Sequence, residues 1–208
     1  MRNLMISKLL SVVVIIGFIF CVFPNVRAEE KQDSTAQDEI MAKAMELAQP
    51  GEEHKLLERL TGEWNAETKM WMSPGADPMI LPGKAGLKMI LDGRFLYGEY
   101  SITSDQMKGD GLFVTGFDRR HEKFTYIGFD TWGTYSVSAS GTYDEETKSI
   151  TMYGEDVDPI MGHTQKYNLV FTFNSDDTWK FEVIFLDKVH TQGGDQFKMV
   201  EVNYIRAE

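Results

Sequence analysis

With 208 residues, 42% of them hydrophobic and 25% charged, the chain has an ordinary globular composition and can bury a core without staples; collagen-like, disordered and disulfide-scaffold classes are excluded. Its net charge of −11, which becomes −14 once Arg2, Lys8 and Arg27 are discounted, disfavours nucleic acid and anionic lipid as partners. The one cysteine, Cys21, lies in the first 28 residues, so the remainder offers no disulfide, thiolate metal site or cysteine nucleophile.

Those first 28 residues have the grammar of a signal peptide. Arg2 and Lys8 make a basic start, and Leu9 to Phe23 is an apolar run interrupted only by Ser11 and Gly17. Val26-Arg27-Ala28 then places small side chains for cleavage after Ala28. The run is short against the roughly 20 residues of a membrane span, so cleavage is expected rather than retention as an anchor. Export to the periplasm or the extracellular space follows. Residues 29–38 are polar, without apolar periodicity, and read as a flexible spacer. Residues 39–208 are expected to form one domain.

Two short helices should open that domain. Ile40, Met41, Ala44, Met45 and Ala48 recur at helical spacing, with Asp38 and Glu39 at the favourable end of the dipole, until Pro50-Gly51 stops the run. Glu52 to Leu60 repeats the pattern with Leu56, Leu57 and Leu60 on one side.

After Thr61 the period changes to two. Tyr135, Val137, Ala139, Gly141 and Tyr143 alternate with Thr134 and serines; Tyr167, Leu169, Phe171 and Phe173 alternate with more polar neighbours; so do Trp179, Phe181, Val183 and Phe185. Ten strands are expected, at 62–72, 83–92, 93–103, 109–118, 122–132, 134–143, 148–155, 163–174, 178–187 and 195–206, most joined by hairpin-like turns. Two joints are longer: Ser73 to Pro82, with three prolines, and Asp187 to Gly194. No stretch after 61 could serve as a helical crossover, so the sheet should be antiparallel. A ten-strand open meander would expose two edges, and closure removes them. The expected fold class is all-β: an antiparallel up-and-down barrel of about ten strands, preceded by one or two short helices.

Gly62-Glu63-Trp64 opens the first strand after a short helix, and the chain ends Asn203-Tyr204-Ile205-Arg206. These features resemble the calycin group, the lipocalins and their relatives. The resemblance implies a lipocalin-like barrel in which Trp64 is a structural plug with Arg206 across its face, a cation–π contact. The stretches QPGEEHKLLERLTGEW (49–64) and LDGRFLYGEY (91–100) are further similar to a bacterial family known as domain of unknown function 1579. That resemblance covers roughly residues 40–206 and implies no activity.

No catalytic constellation is apparent. His54, His121, His163 and His190 form neither an HExxH motif nor a paired spacing, so no metal site is expected. His54 and His121 read as surface residues, while His163 or His190 is the candidate should the barrel bind haem; otherwise no cofactor is expected. The acidic clusters fit turns rather than a calcium loop, and neither a Gly-x-Ser-x-Gly elbow nor a phosphate loop occurs.

The richest feature is 13 Phe, 8 Tyr, 4 Trp and 12 Met, ample for the lining of an apolar cavity. The expected function is an exported, lipocalin-like protein binding a small apolar or amphipathic molecule, lined by residues among Met89, Phe95, Tyr97, Tyr135, Tyr167, Phe171, Phe181 and Phe185. The alternatives are an enzyme with a polar site inside the barrel, and a structural or interaction protein whose barrel is filled.

Overall fold

The computed structural model describes residues 33–105, 107–158 and 160–208. The leader expected at 1–28 lies outside the described residues. Helix α1 spans Asp33–Leu47, so it begins inside the stretch read as a spacer. Asp33–Ala42 fall in one compact unit, and the second unit, Lys43–Glu208, holds the rest of the fold.

Ten strands follow the second helix, α2 (Glu52–Glu58): β1 (Gly62–Met70), β2 (Met79–Ile90), β3 (Phe95–Thr103), β4 (Lys108–Asp118), β5 (Lys123–Asp130), β6 (Val137–Asp144), β7 (Ser149–Asp158), β8 (His163–Phe173), β9 (Thr178–Phe185) and β10 (Phe197–Arg206). Each pairs antiparallel with its neighbour in the chain, and β10 returns to β1. The result is a closed up-and-down barrel. Closure uses a continuous register from Trp64↔Arg206 to Met70↔Val200, so neither end strand is left as an exposed edge.

The long joints hold more structure than their composition suggests. Strand β2 starts at Met79 and includes Pro82, although Ser73 to Pro82 reads as a loop. Pro82 is tolerated because Met79 to Pro82 pair only with β1; β3 joins at Gly83, so there is no ladder on the far side needing the missing N–H. The Asp187–Gly194 joint contains one helical turn, α3 (Lys188–Thr191). Its first turn is held by Asp187, whose Oδ1 accepts from the N–H groups of Val189 and His190 at 3.1 Å.

Alternation sorts the two faces. On β8, Tyr167, Leu169, Phe171 and Phe173 are buried while Lys166 is exposed. On β1, Trp64 and Thr68 are buried on the same parity. One end of the core lies where β1 begins. There Leu57 and Leu60, from the α2 segment, pack with Trp64, Leu87, Leu96, Phe124, Ile150, Phe173 and Trp179. This end is the closed base of the barrel.

The family-like motifs do structural work at that base. In the Pro-Gly-x-x-His step, Gly51 is the N-cap of α2 and its N–H donates to His54 Nδ1 at 3.0 Å, so the histidine fills the role that Glu or Gln takes in a capping box. His54 is therefore buried, only 6% exposed, and edge-on to Phe117, not on the surface as its helix position suggests. In the Gly-Arg-Phe-Leu step, Arg94 Nε donates to the Ala48 carbonyl at 3.1 Å, and Arg119 Nη1 donates to the carbonyls of Glu46 and Gln49. Arg94 thus serves the Ala48 carbonyl and Arg119 the Gln49 carbonyl just past the end of α1, and Arg119 adds a second donor to the Glu46 carbonyl, which the Gln49 N–H already reaches at 3.2 Å.

Candidate functional site

An aromatic–cation pair, Trp64 and Arg206, sits at the base. The Arg206 guanidinium carbon lies 4.2 Å from the Trp64 ring centroid. All three of its nitrogens donate: Nη1 to the Thr61 carbonyl at 2.9 Å, Nη2 to the carbonyls of Arg59 and Asp176 at 3.3 and 2.6 Å, Nε to Asp177 Oδ1 at 3.2 Å. The Trp64 indole N–H donates to the Leu60 carbonyl at 2.8 Å. Gly62 makes the arrangement possible, since its φ of +125° belongs to glycine and the guanidinium fills the space beside it. A Gly-x-Trp step is thus a glycine giving room to an arginine that rests on the tryptophan two residues on.

Above the base the barrel holds a cavity of about 300 Å³. Its deeper wall carries Phe171, Trp179, Phe181 and Tyr204, with Trp179 and Tyr204 stacked at 3.9 Å between centroids. Its outer wall carries Trp132, Tyr135, Asp156, Gln165 and Phe185. Polar groups are few: Thr68, Lys84, Asp130, Asp156, Gln165 and the phenols Tyr100, Tyr126, Tyr167 and Tyr204 are the chief ones. Burial, then the proximity of Asp130, pushes the Tyr100 hydroxyl up to about 12. Burial, then Asp156, does the same for Tyr167, and burial also raises Tyr126 and Tyr204. The phenols therefore stay neutral and can donate. Tyr167 already does so, to the Ser138 carbonyl at 3.1 Å.

Five of the eight residues expected to line the barrel meet at this cavity: Tyr135, Tyr167, Phe171, Phe181 and Phe185. Met89 instead packs into the core cluster and is not part of the cavity wall. Phe95 and Tyr97 lie on the opposite parity from buried Leu96, on the outer face. The Tyr97 hydroxyl donates to Glu99, and the Lys88 ammonium sits 5.5 Å from its ring. The inward positions of β3 belong to Leu96, Gly98 and Tyr100, and Gly98 is filled from across the strand by the Phe113 ring, its register partner. Phe113 and Tyr126 join the wall from β4 and β5 without having been expected there, and Val183, which alternation puts on the apolar face of β9, joins it too.

One arrangement at the barrel's open end is invisible in the sequence. His163 begins β8, two residues before cavity-lining Gln165 on the same face. His190 belongs to α3, with its ring stacked on cavity-lining Phe185 at 3.9 Å. The two imidazoles lie 5.4 Å apart around buried Asp187. His190 Nδ1 is 2.9 Å from Asp187 Oδ2, and His163 Nε2 is 3.3 Å from Oδ1. Burial opposes ionisation of Asp187, but N–H donation from His190 and Lys166 outweighs it and lowers its pKa to about 2. The other acidic turns serve locally: Asp144 accepts from the Thr147 N–H at 2.8 Å and Asp158 from the Ile160 N–H at 2.7 Å.

A family model described as "Protein of unknown function (DUF1579)" matches residues 49–206. No curated protein matches the chain. Among solved structures the chain is similar to a redesigned beta barrel, with a TM-score of 0.37 and 16% identity, covering 74% of this chain and 96% of that one.

Proposed function

This chain belongs to the DUF1579 family, and we propose that it is an exported container for one small amphipathic molecule, of the lipocalin-like, calycin type. The observation that carries the reading is the cavity. Its volume of about 300 Å³ stands at the lower end of the range for small-molecule sites. Its wall is mostly aromatic and aliphatic, with a few polar groups, the pattern that holds an apolar body and orients it by hydrogen bonds.

The polar groups define the ligand class. The phenols of Tyr100, Tyr126 and Tyr204 are held neutral by burial and offer donors. The buried indole N–H of Trp179 finds no acceptor among the described residues. An orphaned buried donor is costly, about 1–3 kcal/mol, so a ligand oxygen near it would gain accordingly. The reading is therefore a compact aromatic or short aliphatic molecule bearing a hydrogen-bond acceptor. Export rests on the leader at 1–28, and the acidic balance of the remainder argues against nucleic acid or a membrane as partner.

Native mass spectrometry of the protein purified from its source tests this. A single small-molecule adduct, displaced one for one by 1-aminoanthracene with a rise in dye fluorescence, is the expected result. Absence of an adduct together with no saturable dye binding overturns the reading.

A further inference from the structure

We propose that His163, His190 and Asp187 form a binding site for a first-row divalent transition ion of the zinc class at the mouth of the barrel. One donor atom from each residue lies within 4.8 Å of the other two. On zinc, with bonds of about 2.0–2.2 Å, tetrahedral donors stand roughly 3.4 Å apart. Taken from Asp187 Oδ1, two of the three separations are already below that distance, at 3.0 Å to His190 Nδ1 and 3.3 Å to His163 Nε2. The two imidazole nitrogens, within 4.8 Å of each other, must close by at most about 1.4 Å, within the reach of a side-chain adjustment.

His163 is the second and independent pointer. Both of its ring nitrogens are buried, and neither has a hydrogen-bond partner. Its approach to Asp187 Oδ1 misses hydrogen-bond alignment. A buried imidazole left this way loses the partners that water would give it. A metal on Nε2 gives that nitrogen its partner. His190 is held in place by the Phe185 ring and by the Asp187 cap of α3. Asp187 Oδ1 already accepts from two backbone N–H groups and Oδ2 from the Lys166 N–H at 3.3 Å, and an ion would replace the proton now shared between His190 Nδ1 and the carboxylate.

The donor set selects the ion. Two imidazoles and one carboxylate suit zinc, cobalt or nickel, whereas calcium and magnesium want shells of oxygen. Three protein ligands leave a fourth position for water. The plainer possibility, that Asp187 only caps α3 and the histidines only neighbour it, predicts no ion.

The test uses the full chain without an affinity tag. Isothermal titration with zinc chloride at pH 7.5 is expected to give one saturable site. His163→Ala and His190→Ala should each weaken it at least tenfold, and His121→Ala, on an exposed hairpin, should leave it unchanged. Cobalt titration should give the visible bands of a four-coordinate ion. Imidazole nitrogen NMR on the unaltered protein needs no folded variant: one equivalent of zinc should shift His163 and His190 and spare His54 and His121. Lack of saturable binding, binding that survives both alanine variants, or shifts confined to other histidines overturns the proposal. The outcome is independent of the container reading, since zinc binding is scored without any organic ligand.

Discussion

A Cβ atom on Gly62 would stand 2.6 Å from Nη1 of Arg206, so the glycine is the space in which the guanidinium lies. Gly62→Ala meets two penalties at once. A φ of +125° costs a residue with a side chain about 1–3 kcal/mol, and the methyl group displaces Arg206 from Trp64. A loss of about 3 kcal/mol or more is expected in urea denaturation. Arg206→Lys alone should also destabilise, because an ammonium cannot reach the carbonyls of Thr61, Arg59 and Asp176 together. In the double variant the losses should be less than additive, since both act on one contact. Full additivity would show that Gly62 serves its backbone conformation alone.

Gly141 is fixed by its neighbour rather than by its torsion. A Cβ there would lie 1.8 Å from the Thr151 carbonyl oxygen and 2.7 Å from the Met152 Cα, both backbone atoms of β7. Backbone cannot swing aside as a side chain can, so Gly141→Ala must push β6 off β7 locally. The expected cost is about 2–3 kcal/mol, with hydrogen exchange accelerated first across the Thr142↔Thr151 and Tyr143↔Ile150 register pairs. A variant as stable as the parent would mean the two strands are not this close.

Much of the barrel was legible because each strand carries its own alternation. Trp179, Phe181, Val183 and Phe185 read as one face, and they share one face. What could not be read depends on partners far along the chain. Phe95 and Tyr97 look like lining, but the inward slot at Gly98 is filled by Phe113, and that exchange exists only in the β3–β4 register. His54 sits on a short helix among charged residues, and its burial follows from packing against Phe117. His163 and His190 share no local motif. They meet because the turn after β9 brings α3 over the start of β8, where Asp187 also accepts from the Lys166 N–H. The Asp before a short polar segment was the one available signal, an N-cap for a helical turn.

His54 should make stability depend on pH near neutrality. Burial, followed by the nearby Arg119 and Arg94 guanidinium groups against the opposing pull of Glu53, lowers its pKa below the usual histidine value. A base whose folded pKa is depressed binds fewer protons folded than unfolded between the two pKa values. Its contribution is complete above the unfolded pKa, about 6.5, and is lost as pH falls from there through the folded value. The urea midpoint should therefore decline between pH 7 and pH 5. In His54→Gln the amide oxygen can still accept from the Gly51 N–H, so that part of the slope should vanish while stability at pH 7.5 stays within about 1 kcal/mol. An unchanged slope in the glutamine variant would assign the pH dependence elsewhere.

The cavity can be closed without touching its polar groups. Val183 and Ala66 both line it and are small for their positions. Val183→Phe and Ala66→Leu each add apolar volume to the wall of a cavity that the stacked Phe181 and Tyr126 rings also line. Overpacking a filled core costs about 1–3 kcal/mol. Filling an open space instead adds contacts and removes water, so these variants should keep or raise the melting temperature. If the cavity is where the small molecule sits, both should abolish saturable binding of 1-aminoanthracene and the native mass adduct, while zinc binding at His163 and His190 persists. Retained dye binding in both filled variants would place the ligand outside the barrel. A sharp loss of stability would show that the interior near Val183 is already packed.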